Sequence, residues 1–262
     1  MQYLQTIASS TLVRSSLVRD LRGYEWAMTT RSGATAAKAV SRTAEVLAMR
    51  EASLGRLGLS GLVLVRCGQV HGDDILHVPC SITASYRGRS VVLEPSDGLF
   101  SNCPDTALGI VTADCAAVTV VSPETGSYGI VHSGWRSTAL NIAGKLVRNL
   151  CDNYGADPAM MLAVISPTIS GKYYEVGTDV LDALAEDDRI ADILPAPDSM
   201  GKAMLDLVSV IVAQLWLEGL AKVSIERPSL CTYERADLFH SWRRDADMGR
   251  MLTVIAKLGG CH

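Results

Sequence analysis

The centre of the chain, residues 107–132, reads ALGIVTADCAAVTVVSPETGSYGIVH. Its apolar, β-branched runs predict three strands, at 107–112, 116–121 and 128–131. Residues 123–126 contain Pro and Gly and have the composition of a tight turn, so the second and third strands should pair as a hairpin. The hairpin would bring Cys115, which we expect within the second strand, close to His132 at the end of the third.

Strand and helix patterns continue on both sides of this hairpin. Further strands are predicted at 61–66, 90–93, 161–165, 223–225 and 251–256, and helices at 35–57, 140–150, 179–185 and 205–217. Ser137 or Thr138 would cap the helix that follows His132. The uneven alternation favours an α/β fold, a single-domain layered sandwich (residues 1–262) of mixed β-sheets flanked by helices.

Composition excludes several function classes. The 262 residues carry a formal net charge of −4, which argues against a dedicated nucleic-acid binder. We find no apolar run of about 18 residues that would span a membrane. The seven cysteines are irregularly spaced and form no CxxC pair, so we expect no structural zinc knuckle and reduced thiols in a cytoplasmic protein.

Three side chains have the chemistry of a metal site. His71 and His132 each stand near a glycine, and Cys115 follows an acidic residue within apolar sequence. Two imidazoles and one thiolate suit zinc and leave a fourth position for water or substrate. The alternative is a buried cysteine with two structural histidines, and spacing alone does not decide between the two.

Two basic segments are candidates for anion binding. Arg136 follows Trp135 at the start of a predicted helix, where free backbone amides add to its charge. Arg244 lies in the segment 241–245, SWRRD. The alternatives are an arginine packed on Trp135 and a solvated turn with an internal Arg–Asp pair.

Seven segments, taken together, resemble the motifs of one family. They are 69–72 (QVHG), 96–99 (SDGL), 112–115 (TADC), 132–136 (HSGWR), 174–177 (YEVG), 231–233 (CTY) and 241–245 (SWRRD). In this order they resemble the laccase-domain family, once labelled multicopper polyphenol oxidase and later described as purine nucleoside phosphorylase. The resemblance covers roughly residues 28–256, and the chain departs from the family pattern at Ser137, Ser166 and Ser170.

The resemblance implies layered mixed sheets between helices and zinc held by His71, Cys115 and His132. It also implies phosphorolysis of adenosine, inosine and methylthioadenosine, with adenosine deamination as a second activity. The partners would then be a small-molecule nucleoside and phosphate. Further candidates are Asp114 as a proton carrier and, as substrate contacts, the residues Arg31, Gln69, Arg136 and Arg244.

Other functions remain open at the level of sequence. A cysteine hydrolase would use Cys115 as nucleophile and His132 or His71 as base, and an amidase editing a peptidoglycan precursor would belong here. A copper-dependent polyphenol oxidase is disfavoured, because the chain has five histidines and a laccase needs many more for its copper cluster. A non-enzymatic binding protein has little support, since no charged tail or exposed apolar helix is evident.

Overall fold

The computed structural model describes residues 5–6, 12–33, 35–36, 54–55, 57–246 and 249–259. Two mixed β-sheets stack face to face, and helices cover the outer face of one of them. This arrangement confirms the predicted α/β fold of mixed sheets flanked by helices.

The strands are β1 Gln5–Thr6, β2 Leu12–Arg14, β3 Tyr24–Thr29, β4 Thr35–Ala36, β5 Val63–Arg66, β6 Ile75–His77, β7 Ser90–Val92, β8 Gly98–Ser101, β9 Thr106–Thr112, β10 Ala116–Ser122, β11 Ser127–Ser133, β12 Leu162–Ile165, β13 Glu175–Gly177, β14 Lys202–Met204, β15 Ile225–Glu226 and β16 Gly249–Lys257. The helices are α1 Ser16–Arg19, α2 Cys80–Ser85, α3 Trp135–Ala139, α4 Ile142–Tyr154, α5 Thr178–Ala185, α6 Leu207–Leu217 and α7 Trp242–Asp245. None of the described helices is long and apolar enough to cross a bilayer.

The first sheet has the strand order β1-β2-β3-β16-β9-β5-β7, and β4 pairs with one end of β16. The second has the order β15-β12-β10-β11-β8-β6. Both are mixed, because β5 runs parallel to its two neighbours in the first sheet while β6/β8 and β12/β15 are parallel pairs in the second. Strands β13 and β14 form a separate antiparallel pair.

The predicted central hairpin is confirmed. Strands β10 and β11 are antiparallel, and Ala117 lies opposite His132. Cys115, however, lies in a bend just before β10 and not within the strand. The bend arises because Asp114 has a φ of 84°, which interrupts the extended backbone after β9.

The core has distinct layers. Apolar side chains from both sheets meet in a central cluster, where the indole N–H of Trp26 in β3 donates to Thr119 Oγ1 in β10 at 3.1 Å. A second cluster joins β10 and β11 to the helices α4 and α6. The sheets therefore share one buried interface, which fixes the ends of their strands relative to each other.

Several local predictions need correction. Ser137 and Thr138 lie inside α3 and cap no helix; the hydroxyl of Thr138 donates to the carbonyl of Gly134. The residue that caps α4 is Asn141, whose side chain accepts from the N–H of Gly144 at 3.1 Å. Residues 222–224 form a 3-10 turn ahead of β15. Of the predicted helix 35–57, the first two residues form β4, and 37–53 lie outside the described residues.

The expectation of uniformly reduced thiols is also corrected. Cys80, at the start of α2, forms a disulfide bond with Cys103, just after β8. No short CxxC-like spacing marks this pair, since 23 positions separate its members. Among the described residues, the free cysteines are Cys67, Cys115, Cys151 and Cys231.

Candidate active site and metal centre

The site lies where the chain passes from the first sheet to the second. Three connections make this passage: 67–74 between β5 and β6, 93–97 between β7 and β8, and 113–115 between β9 and β10. They carry His71, Asp97 and Cys115, respectively. His132, near the end of β11, completes the group from within the second sheet.

The structure brings the three predicted metal ligands together. The ligand atoms of His71, Cys115 and His132 all lie within 4.8 Å of one another, and the two imidazole centroids are 4.7 Å apart. His132 is buried, Cys115 is half-buried and His71 is exposed. Two nitrogens and one sulfur with an open side match the donor sets found in catalytic zinc sites.

Asp97 organises these ligands from behind. Its fully buried carboxylate accepts from His132 Nδ1 at 2.8 Å and from the backbone N–H groups of Val70, His71 and Gly72 at 2.7–3.1 Å. The bond to Nδ1 leaves the Nε2 atom of His132 to face Cys115, which is the carboxylate–histidine arrangement that orients metal ligands. One carboxylate thus supports both imidazoles.

The electrostatics of the site follow from this arrangement. Burial alone would lower the pKa of His132, but the Cys115 sulfur and the Asp97 carboxylate raise this pKa to about 9. Burial alone would raise the pKa of Asp97. The hydrogen bonds from His132 and the backbone N–H groups outweigh burial and hold this pKa below the usual range. Burial and the neighbouring His132 lower the pKa of His71.

Backbone geometry keeps space for an ion. A Cβ atom at Gly134 would lie 3.0 Å from Cys115 Sγ and 3.3 Å from His71 Nδ1, so a side chain there would fill the gap between the ligands. His71 itself has a φ of 62°, a conformation that costs energy for a residue with a side chain and is held by the bond from its N–H to Asp97. The donor set and the open cradle fit a zinc ion.

Asp114 lines the cavity, but its carboxylate is occupied. Oδ1 accepts from Thr232 Oγ1 at 2.6 Å, and Oδ2 accepts from Ser241 Oγ at 2.9 Å and from the N–H of Arg243 at 2.7 Å. Its carbonyl accepts from Ile169 N and from Thr168 Oγ1. These bonds make Asp114 a tether between the 113–115 bend and the late loops, which disfavours the expected role of proton carrier.

A cavity of about 590 Å³ opens over the trio, within the size range of small-molecule sites. Three arginines line it, and each guanidinium lies over the ring of an aromatic residue that also lines it. The pairs are Arg136 with Trp135 at 4.2 Å, Arg243 with Tyr174 at 5.3 Å and Arg250 with Trp242 at 5.5 Å from carbon Cζ to ring centroid. The cavity therefore combines positive charge with aromatic faces.

The other predicted substrate contacts fall in different places. Gln69 lines the cavity, but its amide exchanges two hydrogen bonds with the backbone of Val111, at 2.8 and 2.9 Å. Arg31 is not among the lining residues and lies 3.6 Å from Asp245.

Arg244 also stays outside the cavity. Its guanidinium donates to the carboxylate of Asp245 and to the carbonyls of Thr232, Tyr233 and Phe239 at 2.6–2.9 Å. All five N–H groups are committed to the protein, which disfavours the expected substrate contact. Its neighbour Arg243 reaches the cavity instead.

Sequence reasoning missed Asp97, Arg243, Arg250 and Tyr174 as site residues. Asp97, Arg243 and Tyr174 lie within the quoted motifs, and this position could have identified them as site residues. Arg250 reaches the cavity because β16 pairs with β9 in a register that sets Met251 opposite Thr112. A register between strands so distant in sequence has no local signal.

The positions that depart from the family pattern do not line the cavity. Ser137 is buried in α3, and its hydroxyl has no hydrogen-bond partner in the described part of the chain. Ser166 Oγ accepts from the N–H of Ala117 at 2.9 Å, and the N–H of Ser170 donates to Cys231 Sγ at 3.3 Å. All three therefore act behind the cavity wall.

A family model described as multi-copper polyphenol oxidoreductase laccase matches residues 29–257. The chain belongs to this family. A relative named purine nucleoside phosphorylase YlmD, from Bacillus subtilis, is 32% identical over 66% of this chain and 65% of its own length, slightly under two thirds. A protein of the same name from Geobacillus stearothermophilus is 34% identical over 74% of this chain and 72% of its own length.

Solved structures of this laccase family share the fold. A crystal structure described as Bacillus licheniformis hypothetical protein YfiH superposes with a TM-score of 0.85, at 28% identity, over 97% of this chain and 98% of its own. The family description names several coppers, but the part of the chain that the structure describes holds a single cluster suited to an ion, the trio above. His77 instead packs near Phe100 and Tyr154.

Proposed function

We propose that this protein is a zinc-dependent purine nucleoside phosphorylase, which uses orthophosphate to cleave nucleosides such as adenosine, inosine and methylthioadenosine. The observation that carries the proposal is the position of the His71, Cys115 and His132 cluster beneath a cavity with three arginines and three aromatic rings. A nucleoside offers an aromatic base and orthophosphate offers negative charge, so the lining matches both reactants. The names of the two relatives described above support the same reaction.

The arginines would bind and orient orthophosphate. The positive charge of Arg136 acts to lower the pKa of both His71 and Tyr174, Arg250 does the same for His71, and Arg243 does the same for Tyr174. Bidentate contacts from guanidinium groups suit phosphate oxygens. A phosphate oxygen then attacks the anomeric carbon, the bond to the purine nitrogen breaks, and its electron pair leaves with the base as ribose 1-phosphate forms.

The chain's own residues would prepare the site for this step. The rings of Trp135 and Trp242 offer faces on which a purine can stack. Asp97 would hold the ligands His71 and His132 in place. A bound zinc ion would supply Lewis acidity and an activated water, which also provides for adenosine deamination as a second activity.

The test uses purified protein reconstituted with zinc and assayed with adenosine or inosine, with and without orthophosphate. We expect free base and ribose 1-phosphate in the presence of phosphate. Cys115→Ala should abolish the activity, whereas Cys151→Ala, a free and half-buried cysteine on α4, should retain it. Inosine as the only product of adenosine, even with phosphate present, would indicate deamination alone, and the absence of both products across several purine nucleosides would refute the proposal.

One observation favours a second candidate, a cysteine hydrolase. Asp97, His132 and Cys115 form a chain in which the carboxylate holds the imidazole and the imidazole contacts the sulfur, as in cysteine-dependent acyl transfer. This function would operate in the metal-free protein. An acyl-enzyme on Cys115, trapped from an amide substrate after zinc is removed and lost when zinc returns, would favour it over phosphorolysis.

A further inference from the structure

Tyr174 lines the cavity. It precedes β13, and its carbonyl accepts from the N–H of Leu205 at 2.9 Å, which fixes the backbone. One part of the ring packs against the helical core cluster, and the guanidinium of Arg243 lies 5.3 Å from the ring centroid. The side chain is therefore held at the cavity wall by its ring and its backbone.

The hydroxyl group of Tyr174 is left for a ligand. No hydrogen bond joins it to any group in the described ranges, whereas the buried Tyr128 hydroxyl contacts the carbonyls of Cys103 and Thr106, both at 2.9 Å. Tyr174 and Cys115 line the same cavity. Burial raises the pKa of Tyr174, so the group is a protonated donor at neutral pH.

We infer that Tyr174 is a catalytic residue that donates a proton to a ring nitrogen of the purine base as the base departs. The inference deepens the proposed phosphorylase function and rests on it. The geometric basis is an unpartnered phenol at the wall of the cavity that His71, Cys115, His132 and the three arginines also line. Purine departure needs such a donor, because the base otherwise leaves as an anion.

The proton and electron balance is closed. A bond forms between a phosphate oxygen and the anomeric carbon, and the bond from that carbon to N9 breaks with its electron pair on the base. The phenolic proton passes to the base at N7, so the base leaves neutral. The phenolate then regains a proton from water in the open cavity, and no oxidant or reductant takes part.

The first test removes only the hydroxyl. Tyr174→Phe keeps the ring and its packing, and we expect kcat for inosine phosphorolysis to fall about 100-fold, the size of a lost general acid. Zinc content and the KM for phosphate should be unchanged. The matched control is Tyr173→Phe, because Tyr173 stacks on Tyr233 and lines no part of the cavity. This control should behave like the wild type.

The second test separates proton donation from a structural effect. In 7-methylinosine the methyl group blocks N7 and gives the purine ring a positive charge, so the base leaves as a neutral molecule without accepting a proton. Tyr174→Phe should therefore cleave 7-methylinosine at nearly the wild-type rate. An equal loss of rate with both substrates, or no loss with inosine, would overturn the assignment of Tyr174. A wild-type enzyme inactive toward every purine nucleoside would instead refute the phosphorylase function on which the assignment rests.

Discussion

Asp97 supports two candidate metal ligands from behind the cavity wall. Its carboxylate holds His132 through Nδ1 and fixes the 70–72 backbone, including the strained His71. An asparagine at position 97 would keep one acceptor oxygen but would place an NH2 group where the second carboxylate oxygen now accepts from His132 or the backbone N–H groups. The ligand geometry therefore depends on the negative charge and the double acceptor capacity of this carboxylate.

We predict that Asp97→Asn weakens zinc binding about 10- to 100-fold, the usual effect of losing a partner of a metal-bound histidine. Zinc titration against a competing chelator measures the change. Asp74→Asn is the control, because Asp74 is exposed and its side chain takes no part in this network. An Asp97→Asn protein that folds and binds zinc with wild-type affinity would show that Asp97 does not support the ligands.

The raised pKa of His132 predicts how metal binding depends on pH. With a pKa of about 9 in the metal-free protein, the imidazole is protonated at neutral pH, and zinc must displace that proton. The zinc affinity should therefore rise with pH by about tenfold or more per unit until pH reaches about 9. Chelator titrations from pH 6 to 10 test this, and a flat profile below pH 9 would contradict the shift.

At the scale of elements, the site depends on connections that pass between the two sheets. The bend at 113–115 carries Cys115, and Asp114 joins this bend to Thr232, Ser241 and α7 by three hydrogen bonds. The same tether positions Arg243 at the cavity. Asp114 therefore links the bend that carries Cys115 to the wall of the cavity that carries Arg243.

We predict that Asp114→Asn lowers the free energy of unfolding by about 1–3 kcal/mol, because buried donors lose their acceptor. The pH profile of kcat should keep its shape, since the carboxylate is a tether and carries no proton in the reaction. Denaturant unfolding and kinetics between pH 5 and 9 measure the two effects. Thr232→Val, which removes one of the three donors, should destabilise the protein less.

The opposite pattern would restore the proton-carrier hypothesis for Asp114. In that case the Asp114→Asn protein would unfold at the wild-type denaturant concentration. Its kcat profile would lose one titration limb.

At the scale of the whole molecule, local sequence patterns predicted the central strands and the pairing of two of them. The β-branched runs around Cys115 predicted the strands β9, β10 and β11, and turn composition predicted the pairing of the last two. That pairing in turn predicted the approach of Cys115 and His132. Only the motif resemblance implied that His71 lies close to this pair, because the position of His71 along the chain does not indicate how far it lies from them in space.

Long-range register set the limits of prediction. The last strand, β16, lies between β3 and β9 at the centre of the first sheet, and this position brings Arg250 to the cavity. Adjacent arginines in one motif diverge, because Arg244 turns to backbone carbonyls while Arg243 faces the cavity. Both outcomes depend on tertiary contacts that no local pattern contains.

The Cys80–Cys103 disulfide acts on the stability of the whole chain. It closes a loop between residues 23 positions apart. A cross-link over a loop of this length lowers the conformational entropy of the unfolded chain and so stabilises the folded protein by about 3 kcal/mol. We predict that Cys80→Ser lowers the free energy of unfolding by about this amount and removes any effect of added reductant. Cys80 is exposed, so the serine itself should be tolerated.

The measurement is denaturant unfolding of wild-type and variant proteins with and without dithiothreitol. Wild-type protein should lose the same stability on reduction, and Cys151→Ser, which lacks a disulfide partner, should respond like the wild type. Equal stability of oxidised and reduced wild-type protein would mean that the cross-link restrains little of the unfolded chain. The stability would then come from the shared interface of the two sheets, where Trp26 and Thr119 already join them.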